Sequence, residues 1–563
     1  MIRGHVTGAT FPPRFGPRPR RALAMSAFLA LLWLWSAPAA GAQPAAQVVS
    51  PAAAWMSTAG LTAFGAILRI PGDFSTIQSA VDAAKSGYLV LIAPGVYHEA
   101  VRVRTPELTI RGEDRNTTIL DGQEKLTNGF TVQANNVVIE NLTVHHYVGN
   151  GFFWTSVTGY RGSYLTAYDN GDYGIYAFNA VQGQFDYSYA SGSPDSGFYI
   201  GQCHPCDALI TDVISERNAL GYSGTNAGGN LIIQNSTWRN NGAGIVPNTL
   251  DSEKRPPEWG TTIVNNVVSD NGNVDAPSFP LERPFFGVGI GVPGGDLNYI
   301  AHNKVRNNSD YGILVSGIVD DNFWLASGNV VEGNTVTGSG VADIALASPS
   351  GANNCFKDNQ AATTLPPLLE VSHACGTPLP LNGGGDFGIT MRLFARFMFA
   401  SGPNYHSTDY RKVPAPPAQP NMPDINAARG PIFTVPFTLS SDSAALPNGV
   451  GNGGPAMFQP LGFTTYTVVQ ILLALYGNLL LFALYAVWLA TAFWELSHRD
   501  DISSGRRLGW GAAVLVIPIF GPLAYFATDS KLSRGFRMAL LIGAPALCLV
   551  ITVVLMIVAQ STL

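Results

Sequence analysis

The sequence predicts an all-β solenoid, a single chain wound into a parallel coil of short strands with about 23 residues per turn, followed by a tether and three membrane helices. Three observations predict the coil. Glycines that precede an apolar residue recur at Gly151, Gly174, Gly197, Gly221, Gly244, Gly289 and Gly312, with steps of 23, 23, 24, 23, 45 and 23, and a regular period of this length marks a repeat architecture. A second apolar segment precedes each glycine, as in NNVVIENLTV (135–144), CDALITDVIS (206–215), NLIIQNSTW (230–238) and DLNYIAHNKV (296–305). These segments are bounded by Asn and Gly turns, with no helix-length segment between them. Asparagines also keep phase: Asn170, Asn240 and Asn308 stand four residues before a glycine, and Asn235 and Asn303 nine before.

The residue after each glycine is Phe152, Ile175, Phe198, Tyr222, Ile245, Ile290 or Ile313. This position points inward and stacks on its equivalents in adjacent coils, while the glycine enters the strand where a side chain would obstruct the backbone. Strand side chains alternate, so the next residue points outward. There the chain places Phe153, Tyr176 and Tyr199 before Ser223 and Val246. Three stacked aromatics would offer a platform for sugar rings; the plain alternative is that they shield the sheet. The step of 45 reads as one coil with insertions near 250–259 and 273–286, and such insertions collect on one face as cleft walls.

The loops GQCHPCD (201–207), GTNAGG (224–229) and PNTLDSEKR (247–255) fall beside one another on successive coils. They gather His204, Asp207, Asn226, Asn248, Asp251 and Glu253. His204, Asp251 and Glu253 are the candidates for general acid–base work, and Ca2+ is the ion such carboxylates could hold. The alternative is a polar turn ladder. Asp172, Asp195 and Asp310 each stand two residues before a glycine, where Asp is a good turn former. No residue is assigned as a metal ligand and no cofactor is expected beyond that calcium.

The N-terminus has export character. Arg14, Arg18, Arg20 and Arg21 precede ALAMSAFLALLWLW, with an A-x-A cleavage site at Ala40, Gly41 and Ala42, so residues 1–42 read as a signal peptide and 43–66 as a linker. The coil is expected over 67–375. A Pro/Gly-rich tether covers 376–463, as in VPAPPAQPNMPD (413–424), and FGITMRLFARFMF (387–399) within it is expected to cap the last coil. Apolar runs at about 467–493, 509–527 and 538–559 are each long enough to cross a bilayer, placing the coil outside a bacterial-type cytoplasmic membrane. Cys203, Cys206, Cys355 and Cys375 lie in the exported part, and proximity pairs Cys203 with Cys206 and Cys355 with Cys375. A zinc or redox reading of CHPC stays open. A net charge of −6 with 12% charged residues and no basic face excludes nucleic acid as a partner.

DFSTIQSAVDAAKSGYLVLIAPGVYHEAVRV (73–103) and LTIRGEDRNTTILDG (108–122) resemble the opening coils of right-handed parallel β-helices of the pectin-lyase-like class, where a short helix, here about 75–86, caps the open end. The resemblance covers roughly 67–360 and implies a polysaccharide ligand. It implies no reaction: GQFDYSY (183–189) only echoes the methylesterase strand, and the lyase and polygalacturonase carboxylate patterns are absent. GRRLGWGAAVLVIPIFGPLAYF (505–526) resembles the membrane hairpin of phospholipase D-type cardiolipin synthases, but HNKVRNNSD (302–310) does not complete their H-x-K-x4-D motif. The reading is an envelope-tethered module that recognises, and could process, a polysaccharide. The alternatives are a polysaccharide lyase or hydrolase proper and a non-enzymatic assembly factor with envelope protein partners.

Overall fold

The computed structural model describes residues 63–280, 283–376, 385–399, 406–432, 484–516, 520–543 and 546. The chain divides into two compact units, one spanning Gln43–Leu461 and the other Met1–Ala42 with Gly462–Leu563. The expected signal peptide lies outside the described residues.

The first unit is the expected parallel coil. Every turn contributes one strand to each of three sheets of 12, 11 and 11 strands. The glycine-led strands form the third sheet, in register from Phe152 to Ile175 to Phe198, and all seven residues that follow the repeat glycines are fully buried. Burying each such side chain contributes about 1.5–3 kcal/mol. The glycines are dictated by the stacking itself. A Cβ on Gly174 would lie 2.7 Å from the carbonyl oxygen of Gly197, and one on Gly221 2.6 Å from that of Gly244. Neighbouring coils cannot approach this closely with a side chain between them.

The 45-residue step is one coil, as expected. Between Ala243–Asn248 and Val288–Pro293 the strands among the described residues are Trp259–Val264 and Val267–Ser269, with an insertion on either side, the second carrying a 3-10 turn at Arg283–Phe285.

Asparagine amides run along the axis, with one correction to the residues expected. Asn170, Asn303 and Asn308 are buried ladder members, but Asn235 and Asn240 occupy left-handed turns with φ of 50° and 55°. The ladder uses their neighbours instead: Asn241 Nδ2 donates to Asn271 Oδ1, which also accepts from the Asn241 backbone N–H. The left-handed position tolerates Asn on the surface, whereas an inward amide one residue on can satisfy the backbone groups of the next coil.

Helix α1, Ile77–Ala83, is capped by Thr76 and buries Ile77, Ala80 and Val81 over the first coil. At the far end, helix α2, Leu369–Ser372, inserts Leu369 into the core, and the Cys355–Cys375 disulfide holds it to the last strands. Helix α3, Phe387–Phe399, corrects an expectation. It packs Ile389 and Leu393 against Tyr311, Leu314 and Ala345 on the outer side of the third sheet, not over the open end. Those outward positions are apolar and need a cover of their own.

The Pro-rich segment is also more ordered than a tether. Residues 406–432 carry only a single 3-10 turn and otherwise irregular chain, yet they run back along the coil as a docked strap. Buried Arg115 donates to the Pro420 carbonyl and buried Arg111 to the carbonyls of Ile425 and Ala427, while Asn141 Oδ1 accepts from the Met422 N–H.

In the second unit, Trp488, Leu496, Val514, Tyr525 and Phe526 form a small core. No helix among the described residues is long and apolar enough to cross a membrane. Much of the first and third expected spans lies outside the described residues.

Candidate functional site

The outer face of the third sheet is covered unevenly along its length. Helix α3 lies over Leu314 and Ala345, and Phe285 of the second insertion lies over Leu220, Ala243 and Val246. Phe153, Tyr176 and Tyr199 occupy three consecutive rungs, in register with one another, with Thr131 on one side and with Ser223 on the other. They point away from the core as expected. They do not form an exposed platform, because Tyr199 is only 2% exposed. Instead they line a partly closed aromatic box. The Phe153 and Tyr176 rings stack with centroids 4.7 Å apart, and Tyr199 meets Tyr176 edge-on at 4.8 Å. Tyr173, from the turn before the glycine, lies over Tyr176 at 4.2 Å and meets Tyr199 edge-on at 5.2 Å.

The first insertion closes the box and brings in an acid. Asn226, fully buried, donates from Nδ2 to the carbonyls of Leu250 and Lys254 and accepts from the Leu250 N–H, so it clips the loop to the coil. The loop then carries Glu253, whose carboxylate accepts a 2.6 Å hydrogen bond from Gln202 Nε2. Burial raises the Glu253 pKa, against the opposing effects of Gln202 and Lys254. Burial also holds the Tyr176 hydroxyl well above its ordinary value, reinforced by Tyr199, Asp172, Asp195 and Glu253. Tyr173 is raised likewise, by burial and then by Asp195, Tyr176, Asp172 and Tyr199. Three tyrosine hydroxyls and the Glu253 carboxyl group therefore share one partly buried neighbourhood.

The loop patch expected around His204 is divided by the structure. Glu253 turns to the tyrosines. Asp251 accepts from the Asp321 N–H and from Asn322 Nδ2, which ties it to the hairpin formed by Ile318–Val319 and Phe323–Trp324. His204 packs on Gly228 and edge-on to Trp259, and burial lowers its pKa. Asp207 accepts from Asn230 on a turn ladder, and Asn248 accepts from Thr225 one coil away. Hydrogen bonds to different neighbours make the division: the 318–324 hairpin holds Asp251, and Gln202 of the coil holds Glu253. Cys203 and Cys206 are disulfide-bonded and buried, so CHPC serves the core.

Two family profiles match the chain: the right handed beta helix region over residues 150–323 and the phospholipase D-nuclease N-terminal family over 483–528. The first profile matches the coils that carry the aromatic box, and its hand is the expected one. No curated protein matches the chain. Among solved structures, the mannuronan C-5 epimerase AlgE4 A-module of Azotobacter vinelandii is 17% identical with a TM-score of 0.40, covering 53% of this chain and 93% of its own. An alginate lyase of Paenibacillus sp. str. FPU-7 is 16% identical with a TM-score of 0.35, covering 48% and 94%. A DFA-IIIase of Arthrobacter chlorophenolicus A6 is 12% identical with a TM-score of 0.38, covering 52% and 94%.

Asp172 and Asp195 act on the site from positions whose turn chemistry alone would explain them, and Tyr173 and Gln202 join it without a sequence motif of their own. One signal was available in DYGIY and DSGFY: an acid two residues before the glycine and an aromatic two residues after it share the outer face, in adjacent coils.

Proposed function

We propose that the chain is a polysaccharide-recognising β-helix module whose binding site is the box formed by Phe153, Tyr173, Tyr176 and Tyr199. The observation that carries this reading is the packing of Tyr173, Phe153 and Tyr199 around Tyr176, at ring-centroid distances of 4.2, 4.7 and 4.8 Å. Aromatic faces pack against the C–H faces of sugar rings, and carboxylates accept hydrogen bonds from sugar hydroxyls. Glu253 also favours a processing role at the same site. A carboxyl group whose pKa is raised by burial can donate a proton, the role of the acid in general acid–base catalysis. The test is a glycan array on the detergent-solubilised full chain, followed by titration of the bound glycan. Tyr176→Ala should weaken binding about tenfold or more, the scale of a lost aromatic contact, and Asp195→Asn should weaken it with the fold intact. Absence of any glycan ligand, or unchanged affinity in folded Tyr176→Ala, would overturn the reading in favour of an assembly factor.

The same proposal places the coil outside a cytoplasmic membrane, anchored through the apolar C-terminal runs. Two disulfides fit an oxidising compartment. Protease added to intact spheroplasts should digest the coil; digestion only after lysis would place it inside.

A further inference from the structure

We propose that Asp121, His145 and His146, with His98, form a binding site for a divalent transition-metal ion, and that Asp169 orients His146 within it. The site lies on the second sheet and is independent of the glycan reading.

The coil builds the site in two steps. Strand register sets His145 opposite Asp121 on one side and Tyr168 on the other, and Tyr97 opposite Leu120. One outward column therefore runs His98, Asp121, His145, Tyr168 at about 4.8 Å per coil. His146 would normally face the other way, since consecutive strand residues alternate. It sits instead at the left-handed turn that ends the strand, with φ 56°, and its Nδ1 swings to 2.8 Å from Nδ1 of His145. The turn belongs to the fold: Asp169, Gly192, Arg217 and Asn240 occupy it in the next coils with φ of 52°, 73°, 58° and 55°. A histidine there, beside a second histidine, is particular to this coil.

Asp121, His145 and His146 each bring a donor atom within 4.8 Å of the others. Asp121 Oδ1 lies 3.5 Å from His146 Nδ1 and 3.7 Å from His145 Nδ1, while His98 stands at the edge of the group, its Nδ1 3.7 Å from Asp121 Oδ2 and 3.2 Å from the Asp121 carbonyl oxygen. Donors about 2.0–2.2 Å from a tetrahedral ion stand roughly 3.4 Å apart, so small rotations complete the geometry. The two Nδ1 atoms can share only one proton between them, and a cation entering here takes the place of that proton. Imidazole nitrogens with one carboxylate suit zinc, cobalt, nickel or copper better than calcium or magnesium.

A second, independent observation points to the same ion. Asp169 is 3% exposed, its Oδ1 makes no hydrogen bond within the protein, and its Oδ2 lies 3.8 Å from Nε2 of His146. A carboxylate behind a ligating histidine holds the distal N–H and leaves the other nitrogen for the metal. The Tyr168 ring, stacked on His145 at 4.6 Å, fixes the plane of that imidazole. The His98 side chain is 46% exposed and leaves an entry path.

The test uses the chelator-stripped full chain in detergent, titrated with Co2+ while the visible spectrum is recorded. One equivalent should produce an intense d–d band that Zn2+ abolishes. His145→Ala and His146→Ala should each remove the band. Asp169→Asn should keep one equivalent but weaken binding about 10–100-fold, a change that a purely structural aspartate would not produce. His98→Gln, at a half-exposed position on the edge of the group, should weaken binding and shift the band. No band in the wild-type chain, or a band that survives unchanged in folded His146→Ala and in His98→Gln, overturns the proposal.

Discussion

Asn303→Ala is expected to destabilise the coil by about 4 kcal/mol, because it orphans several buried groups at once. Asn303 is 1% exposed. Its Oδ1 accepts from the backbone N–H and the Nδ2 of Asn266, and its own Nδ2 donates to the Ile263 carbonyl and to Asn334 Oδ1. The ladder continues through Asn334 and Asn359 to a terminal Glu370, whose carboxylate accepts from the Asn359 N–H and Nδ2. An alanine in the middle interrupts the ladder in both directions. No water can substitute without room for it. Asn235→Ala is the contrast. That residue is exposed and occupies a left-handed turn, so its replacement costs only about 1–2 kcal/mol of backbone preference. Urea unfolding followed by tryptophan fluorescence measures both, and equal midpoints for the two variants would refute the distinction between ladder and turn asparagines.

Glu258→Gln should make the protein more stable than wild type at pH 8, by roughly 4 kcal/mol, and no more stable at pH 4. Glu258 is fully buried, accepting from Thr261 Oγ1 at 2.7 Å and from Asn298 Nδ2 at 2.9 Å. Burial pushes its pKa up to about 8 despite those two bonds, and neighbouring Asp296 adds to the rise. The folded chain thus keeps a proton that the unfolded chain releases near the ordinary value of 4.5. Its contribution is fully present below that value and is lost as pH rises towards 8. Asp296, pushed up to about 7, acts in the same direction, so the variant should flatten the pH dependence without abolishing it. Glutamine keeps one acceptor for Asn298 and supplies a donor towards the Thr261 hydroxyl, which can reverse its role. Melting temperatures across pH 4–8 provide the measurement. Parallel curves for wild type and variant would show that Glu258 is already ionised in the fold.

The two clusters differ in how far they could be read from the chain. Tyr176 and Tyr199 were legible as outward residues, because their position relative to the glycine sets the face. Their burial was not, since it depends on a loop that Asn226 clips down from the following coil. Glu253 was legible as a loop acid, but its separation from Asp251 and His204 follows from the hairpin that claims Asp251. The histidine cluster escaped sequence reading because His98, Asp121 and His145 are about one coil apart and none shows a metal-ligand spacing. Their meeting needs the inter-coil register, and His146 joins only through a left-handed turn.

By itself the sequence determined the coil. The glycine period, the inward apolar residue and the in-phase asparagines are local signals, and a solenoid is assembled from nearest-neighbour contacts that such signals specify repeat by repeat. Only the tertiary structure decided what covers the coil. Helix α3 lies on the side of the third sheet and not over its end, the Pro-rich segment is a strap held by Arg111 and Arg115, and Phe285 of the second insertion covers the rungs that follow the aromatic run. Those placements rest on contacts between residues as much as 314 positions apart. Side-chain packing and buried hydrogen bonds select them, and neither has a period that a sequence displays.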